Sequence, residues 1–311
     1  MIICCGEALI DFIPIKTGNA YRPCPGGSIL NIAVGLGRML IPVGFLSRLS
    51  TDLFGDILAK HLRDNMVDLQ YCPRLPGQTT LAFVSLGDNP FHEPQYAFYA
   101  EGAVDRELTK KDLPGSFSDD VKALHFGSIS LVLEPGATTF ETLMERESRN
   151  RILTLDPNVR PIVVKDWDAY RERFEGWLSL VDVLRLSQVD LAYLYPQEQL
   201  MSLLPGWFDA GLSLVILTQG AEGASAYTST GQKAYVPTEK VNVKDTVGAG
   251  DTFFSAVLTY LHEHNLLDNR GRIAAMDASQ LEGCLRFAVK AAAINCTREG
   301  ANPPYRHELK T

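Results

Sequence analysis

Apolar residues of this chain fall into short runs that alternate with longer amphipathic segments. This alternation is typical of parallel strands connected by helices. We expect strands of this kind at residues 2–5, 43–48, 123–126, 152–155, 181–185 and 214–217. One helix is expected at about 28–40, with Ser28 as its N-cap, and others at about 51–65, 251–261 and 281–294.

From residue 78 to residue 100 the pattern changes to an alternation with period two, interrupted by a turn at residues 87–90. This pattern predicts a β-hairpin, because no long helix separates its two halves. We expect a small β lid formed by about 10–25 and 78–104. The whole chain, 1–311, is then a single α/β domain of three layers (α/β/α), with helices on both faces of a mainly parallel central sheet.

Polar residues and glycines follow several of the predicted strands. They include Ser128, Ser187, the segment 156–160 and the segment 218–220. Sheets of this type bind ligands at the carboxyl ends of their strands. The agreement of these positions on one edge therefore predicts a single cleft there.

Composition narrows the possible partners. The chain of 311 residues has a net charge of −8, which argues against nucleic acid and anionic membranes as partners. No apolar stretch approaches the ~20 residues of a transmembrane helix, and no signal peptide is apparent. The six cysteines lack metal-site spacing. Free thiols in a reducing compartment fit best, so we expect a cytoplasmic protein.

The segment Asp245-Thr-Val-Gly-Ala-Gly-Asp251-Thr252 precedes a long apolar run. Its glycines permit tight backbone geometry, and the first amides of the following helix lack intrahelical partners. Such amides bind phosphate or a developing oxyanion. Asp251 at the mouth of this site suits a general base that takes a proton from an attacking hydroxyl. The alternative is that Asp251 only caps the helix.

The extended string Asp-Thr-x-Gly-Ala-Gly-Asp-Thr-Phe resembles the C-terminal signature of the ribokinase (PfkB) family of sugar kinases. Gly26-Gly27 with Asn31 is similar to the family's N-terminal signature, and 105–106 and 156–160 are similar to segments of fructokinases, bacterial ones above all. The resemblance implies a ribokinase-like fold and ATP-dependent phosphorylation of a sugar hydroxyl. It also implies Mg²⁺ and, as a further expectation, activation by K⁺.

The resemblance assigns roles to individual residues. Asp251 is the expected base, with the amides of Gly248, Ala249 and Gly250 holding the transferring charge. The expected sugar contacts are Asp11, Gly26, Gly27, Asn31, Phe98, Arg160 and Asp251. The expected nucleotide contacts are Ser187, Thr218, Gly220, Gly223, Gly248, Gly250 and Asn295. Asp190 is expected near Mg²⁺, and Asp245, Val247 and Gly300 around K⁺.

Among sugars, fructose is the first expectation, with fructose 6-phosphate as the product. A 2-keto-3-deoxygluconate kinase, a ribokinase or another PfkB-type kinase are the alternatives. A sugar-binding regulator without catalysis is a different class, which the intact Asp251 segment disfavours. A dinucleotide oxidoreductase would need G-x-G-x-x-G after a strand, and a P-loop kinase needs a Gly-Lys pair that the chain lacks. The edge of the lid could pair with a second copy, giving a homodimer.

Overall fold

The protein is described by a computed structural model over residues 1–15, 20–85 and 95–309. Its strands there are β1 (Ile2–Cys5), β2 (Leu9–Pro14), β3 (Tyr21–Gly26), β4 (Val43–Leu46), β5 (Leu49–Ser50), β6 (Val67–Asp68), β7 (Arg74–Leu75), β8 (Leu81–Ser85), β9 (Gln95–Tyr99), β10 (Ala123–Gly127), β11 (Ile152–Asp156), β12 (Val183–Ser187), β13 (Leu214–Thr218), β14 (Ala224–Thr228) and β15 (Lys233–Val236). The helices are α1 (Ser28–Arg38), α2 (Leu53–Asp64), α3 (Gly136–Glu147), α4 (Trp167–Leu178), α5 (Gln188–Leu194), α6 (Leu200–Ala210), α7 (Ala249–Glu263), α8 (Arg270–Ala274) and α9 (Ala278–Cys296).

The central sheet has nine strands in the order β15-β14-β13-β12-β11-β10-β1-β4-β6. The strands from β13 to β6 in this order run parallel, and β14 and β15 are antiparallel to their neighbours. This confirms the mainly parallel sheet that the sequence predicts. The carboxyl ends of the parallel strands meet at one edge, which we call the carboxyl edge.

Two hydrophobic layers cover the two faces of this sheet. Successive side chains of a strand point to opposite faces of the sheet. In β1, accordingly, Ile2 and Cys4 belong to one cluster, and Ile3 and Cys5 belong to the other. The first cluster includes apolar residues of α1, α2, α7 and α9. The second includes apolar residues of α3, α4 and α6. The three-layer α/β/α architecture follows from this arrangement.

Three predicted boundaries differ from the structure. The strand predicted at 43–48 is two strands, β4 in the large sheet and β5 in a small pair with β7. Gly27, with φ 104°, is the N-cap of α1, so the prediction of Ser28 as the cap is wrong. Helix α7 begins at Ala249, two residues before the predicted start at Asp251. The predicted turn at 87–90 lies outside the described residues.

A second sheet of four strands, in the order β3-β2-β8-β9, lies beside the large one. Its strands match the two ranges predicted for the lid to within one residue, at Leu9 and Gly26. Phe12 and Phe83 stack at 4.6 Å between ring centroids, and Tyr21 and Tyr99 pack edge-on against Phe83. Strand β2 places Asp11 opposite Cys24 of β3. The small sheet thus carries Asp11 into the neighbourhood of the carboxyl edge.

None of the helices in the described part of the chain is both long and apolar enough to cross a membrane.

Candidate active site

The first turn of α7 presents free backbone amides to a cleft at the carboxyl edge. Gly248 caps the helix with φ 72°, in the left-handed region that glycine adopts without strain. A Cβ atom at this position would lie 2.5 Å from the Cβ of Ala301, so a larger residue does not fit. The amides of Gly250 and Asp251 have no hydrogen-bond acceptor within the described residues. With the positive end of the helix dipole they form a site for an anion.

One amide of this turn is already in use. The N–H of Ala249 donates to the carbonyl of Thr246 at 3.1 Å. The role of Ala249 as an anion-binding amide stays a prediction, although its N–H already has an acceptor. Among the described residues, the amides of this turn without an acceptor are those of Gly248, Gly250 and Asp251.

Asp251 lies at the bottom of the cleft, and its carboxylate is held from both sides. The hydroxyl of Ser28 donates to Oδ1 at 2.8 Å, and the amide of Asn31 donates to Oδ2 at 2.8 Å. Burial raises the pKa of Asp251, while these two hydrogen bonds and the charges of Arg160 and Arg185 oppose the rise. The carboxylate is thus fixed in one orientation and is more basic than a solvated one. Both properties suit a general base.

Most of the predicted site residues meet in this cleft. Those that line it are Asp11, Gly27, Asn31, Phe98, Arg160, Ser187, Asp190, Val247, Gly248, Gly250 and Asp251. The structure therefore brings these residues together in one cleft, and their individual roles stay predictions. Thr218 and Asp245 are not part of this lining, but each is hydrogen-bonded to a residue that is. Thr218 accepts from Arg185, and Asp245 accepts from the amide of Val247.

On the predicted sugar side, Asp11 is the acceptor best placed for hydroxyl groups. Burial raises the pKa of Asp11 to about 7, an effect that the charge of Asp251 strengthens and that of Arg160 opposes. Gly26 lies directly against this carboxylate, since a Cβ there would be 2.0 Å from Oδ2 of Asp11. Gly26 is buried, and the sugar contact expected of it stays a prediction.

Arg160 follows β11 and lies close to Asp251. Its Nη1 donates to the side-chain oxygen of Asn158 at 2.6 Å. Asn158, with φ 37°, extends its own amide toward Oδ1 of Asp251 at 3.5 Å. The segment 156–160 thus brings a cation and an amide to the same carboxylate.

On the predicted nucleotide side, Ser187 ends β12 and caps α5. Its hydroxyl accepts from the amide of Asp190 at 3.0 Å and donates to Oδ2 of that residue at 2.6 Å. Thr218, at the same level of the next strand, accepts a hydrogen bond of 2.5 Å from Arg185. Ser187 lines the cleft, and Thr218 borders it.

Besides Thr218, three predicted nucleotide residues lie outside the cleft lining. Gly220 is exposed in the turn after β13, where φ is 56°. A Cβ at Gly223 would lie 2.1 Å from the carbonyl oxygen of Val236, so this glycine serves the packing of β14 against β15. Asn295 is completely buried. The nucleotide contact expected of Asn295 stays a prediction, and the contacts that the structure shows for this side chain are with the protein.

Asn295 holds the loop in front of α7. Its Nδ2 donates to the carbonyl of Val247 at 2.9 Å, and its Oδ1 accepts from the amide of Asn302 at 2.8 Å. Asp245 bridges the same two segments, accepting from the amides of Val247 at 3.0 Å and Gly300 at 2.8 Å. The three residues expected around K⁺ are therefore neighbours.

Asp190 is already bonded at both oxygens. Oδ1 accepts from the amide of Val159 at 2.7 Å, and Oδ2 accepts from the amide of Ser187 at 2.8 Å. Within the described residues no group of three or more His, Cys, Asp or Glu side chains is arranged to hold a metal. A divalent cation at this position would therefore meet a carboxylate that already accepts a hydrogen bond at each oxygen.

Sequence reasoning missed three residues of this cleft: Glu7, Ser28 and Arg185. Ser28 was expected to cap α1, yet its hydroxyl bonds a residue 223 positions away. Glu7 accepts from Ser130 and from the amide of Ile29 at 3.4 Å, next to the start of α1. Arg185 had a usable signal, because it is a charged residue inside the otherwise apolar run of β12.

Comparison with known proteins agrees with this geometry. Residues 1–308 match the family described as pfkB family carbohydrate kinase. A fructokinase of Rhizobium leguminosarum bv. trifolii is 42% identical over 284 residues, covering 90% of this chain and 85% of that protein. The crystal structure of a Xylella fastidiosa fructokinase with bound ATP matches with a TM-score of 0.86 and 29% identity, covering 99% of this chain and 96% of that one. A fructokinase double mutant from Vibrio cholerae O395, with fructose, ADP and potassium ion bound, matches with a TM-score of 0.85 and 26% identity, over 99% of this chain and 96% of that one. The chain therefore belongs to the pfkB family of carbohydrate kinases.

Proposed function

We propose that this carbohydrate kinase is a fructokinase, which converts ATP and D-fructose to ADP and fructose 6-phosphate. One observation carries the proposal: Asp251 joins the two halves of the cleft. Its carboxylate is held by Ser28 and Asn31 on the side of Asp11, and its own amide belongs to the anion site at the start of α7. The identity to a named fructokinase supports fructose as the sugar.

Asp251 is the proposed general base. The attacking hydroxyl of the sugar donates a hydrogen bond to the carboxylate and passes its proton to it as the bond to phosphorus forms. General-base catalysis of this kind contributes roughly 10²–10⁴-fold in rate. Ser28 and Asn31 keep the carboxylate facing the hydroxyl, so little reorganisation is required in the transition state.

The amides of Gly248, Gly250 and Asp251 are the proposed acceptor site for the phosphoryl charge. Preorganised donors stabilise charge at the point where it develops, and they need no rearrangement during the reaction. Ser187 and Thr218 lie on the adjoining strands, where they are placed to approach the nucleotide. Mg²⁺ would supply neutralisation of the phosphate oxygens, with Asp190 near its water shell.

Asp11 and Arg160 are the proposed selectors of the sugar. A carboxylate accepts two hydroxyl hydrogen bonds in fixed geometry, which suits a polyol such as fructose. Arg160 also provides a cation for the carboxylate of 2-keto-3-deoxygluconate, and this contact favours that sugar as the second candidate. Fructose remains the first candidate, because Asp11 and Asp251 would repel an acidic sugar placed between them.

Asp245, Val247 and Gly300 are the proposed surroundings of a K⁺ ion. A cation at the junction of these loops would stabilise the segment that ends at Gly248. The prediction is tested by replacing K⁺ with Na⁺ in the assay buffer, where we expect lower kcat. Equal kcat in both salts would contradict a K⁺ requirement.

The small sheet is the proposed lid over the sugar, and its edge the proposed surface for a homodimer. Strand β9 carries Phe98 into the cleft lining, which supports the first proposal. Light scattering of the purified protein tests the second, and a monomer at all concentrations would contradict it. The cytoplasm is the proposed compartment, since the six cysteines are all free thiols.

The function is tested by measuring ADP release with D-fructose, 2-keto-3-deoxygluconate and D-ribose as acceptors. We expect the highest kcat/KM with fructose, and nuclear magnetic resonance of the product locates the phosphate ester. The Asp251→Asn variant controls for contaminating kinases. Absence of turnover on fructose contradicts the proposal. Binding of fructose and ATP without turnover on any sugar would indicate a regulator instead.

A further inference from the structure

A buried arginine lies beneath the start of α7, at the carboxyl edge. Arg185 is on β12, and its side chain is 7% exposed. It lines the cleft together with Gly250 and Asp251. None of the roles given above uses its charge, although a buried guanidinium requires strong compensation to remain in place.

Two nitrogens of Arg185 have partners on the neighbouring strands. Nη1 donates to Oδ2 of Asp156 at 2.7 Å, and Nη2 donates to Oγ1 of Thr218 at 2.5 Å. Asp156 is completely buried, and burial raises its pKa to about 6 while Arg185 opposes the rise. The ion pair with Asp156 joins β12 to β11, and the hydrogen bond to Thr218 joins β12 to β13, at the edge where the cleft opens.

The guanidinium retains unused donor capacity. Its Nε is buried and has no hydrogen-bond acceptor among the residues that the structure describes. A purely structural ion pair usually satisfies its donors, because a buried polar atom without a partner is unfavourable. The carboxylates of Asp156, Asp190 and Asp251 raise the pKa of Arg185, despite its burial, so the side chain stays charged.

Arg185 also lies directly against the anion site. A Cβ atom at Gly250 would be 2.9 Å from Nη2 and 3.1 Å from Nη1 of Arg185. The free amide of Gly250 is part of the same peptide backbone. A phosphoryl group bound by this amide would consequently lie within reach of the guanidinium, which is planar, permanently charged and suited to phosphate.

We propose that Arg185 is a further catalytic residue, which contacts the phosphoryl group during its transfer; this role rests on the proposed kinase function. In the step, a bond forms between the sugar oxygen and the γ-phosphorus, and the bond from that phosphorus to the β,γ-bridging oxygen breaks. The electron pair leaves with ADP, and the proton of the sugar hydroxyl goes to Asp251. Arg185 compensates the negative charge on the oxygens in transfer. Glycine at position 250 keeps the guanidinium in contact with the amide.

The role predicts a specific kinetic pattern. Arg185→Gln should lower kcat about 10²–10³-fold, the loss typical of a donor that acts on transition-state charge. KM for fructose should stay within a few-fold of the wild-type value, because Arg185 is not among the sugar contacts. Arg185→Lys should recover part of kcat, since it keeps the charge but loses the planar fork. Binding of ADP with fluoroaluminate and fructose should weaken in parallel with kcat, and binding of ADP alone should change little.

Two further variants separate this role from folding. Arg185→Gln leaves the carboxylate of Asp156 buried without its partner, so the double variant Asp156→Asn with Arg185→Gln restores neutrality. Its thermal stability should recover while kcat stays low. Arg151→Gln, which breaks another largely buried ion pair (with Glu147) far from the cleft, should lower stability without lowering kcat.

Wild-type kcat in the folded Arg185→Gln protein, or restored kcat in the double variant, would overturn the role of Arg185 while leaving the kinase function intact. Absence of sugar phosphorylation by the wild-type protein would overturn both. Loss of kcat in the double variant at recovered stability supports the assignment.

Discussion

Two largely buried arginines lie at opposite edges of the same sheet, and their hydrogen bonds differ. Arg151, just before β11, uses all of its guanidinium nitrogens: Nε and Nη2 donate to the carbonyls of Val121 and Phe117, and Nη1 to Glu147. Arg185, near the end of β12, leaves Nε without an acceptor in the described structure and faces a cleft. A complete set of partners marks a charge that stabilises the fold. An incomplete set beside a cleft marks a charge available to a ligand.

The largest effect is expected at the carboxyl edge, for Asp251→Asn. The asparagine keeps the shape and the contact with Ser28 but cannot take a proton. We expect kcat to fall roughly 10²–10⁴-fold, while calorimetry shows ATP binding close to that of the wild type. Ser28→Ala serves as control, because it removes one donor and leaves the base. Near-normal turnover of Asp251→Asn would exclude this residue as the base.

At the opposite edge, Arg151→Gln should affect stability alone. Removing one partner of a buried ion pair is typically destabilising by about 3 kcal/mol or more. Here we expect less than that, because Arg146 still pairs with Glu147 at 2.8 Å. Chemical denaturation measures the loss, and kcat per folded molecule should be unchanged. A fall in kcat per folded molecule of Arg151→Gln would contradict the purely structural role of this arginine.

A smaller effect is expected for Gly26→Ala on the small sheet. The new methyl group would lie 2.0 Å from Oδ2 of Asp11, so the carboxylate must move away from its position. We expect KM for fructose to rise about tenfold, equivalent to roughly 1.4 kcal/mol, with kcat little changed. Gly176→Ala is the matched control, since a Cβ there meets nothing within 4 Å. An unchanged KM would dissociate Asp11 from sugar binding.

The smallest effect is expected from a change of pH, which should act on activity and on stability in opposite directions. The pKa of Asp11 and that of Glu7 are both raised to about 7 by burial. Sugar binding needs the ionised Asp11, so kcat/KM for fructose should fall about tenfold per pH unit below that pKa. Asp11→Asn should lose this part of the profile. An acid limb identical in wild type and variant would assign it to another group.

The free energy of unfolding should respond to pH in the opposite direction to kcat/KM, decreasing as the pH rises. Because the folded pKa values lie above the ordinary 4.5 of Glu and 3.8 of Asp, the folded protein binds more protons than the unfolded chain between about pH 4 and pH 7. These two groups therefore contribute a free energy of unfolding that decreases as pH rises through about 7. Denaturation of the wild type, Asp11→Asn and Glu7→Gln at pH 6 and pH 8 measures it. An equal pH response in all three proteins would contradict this assignment.

Much of the fold was accessible from the sequence, for a local reason. Parallel strands are continuous apolar runs, and the glycine-rich segment before α7 constrains its own backbone through the φ of Gly248. The edge of the sheet that holds the site follows from strand direction alone. Ser28 shows where this reasoning ends, because local preference makes it a cap, while a carboxylate from a distant helix determines its actual contact.

The same limit explains Asn295 and Arg185. The burial of Asn295 depends on a loop 48 residues earlier in the chain, whose carbonyl it binds. The partner of Arg185 lies 29 residues earlier, on another strand. Pairings of this kind arise from the order of strands in the sheet, which periodicity along the chain does not encode.

The attachment of the segment 295–302 to the glycine turn has a consequence for synthesis. Gly248 packs on Ala301, and Asn295 and Asp245 bind the turn to this segment. A nascent polypeptide therefore lacks the contacts that shape its glycine turn until residues 295–302 have been made and packed against it. We expect sugar phosphorylation to appear only at that late point of synthesis.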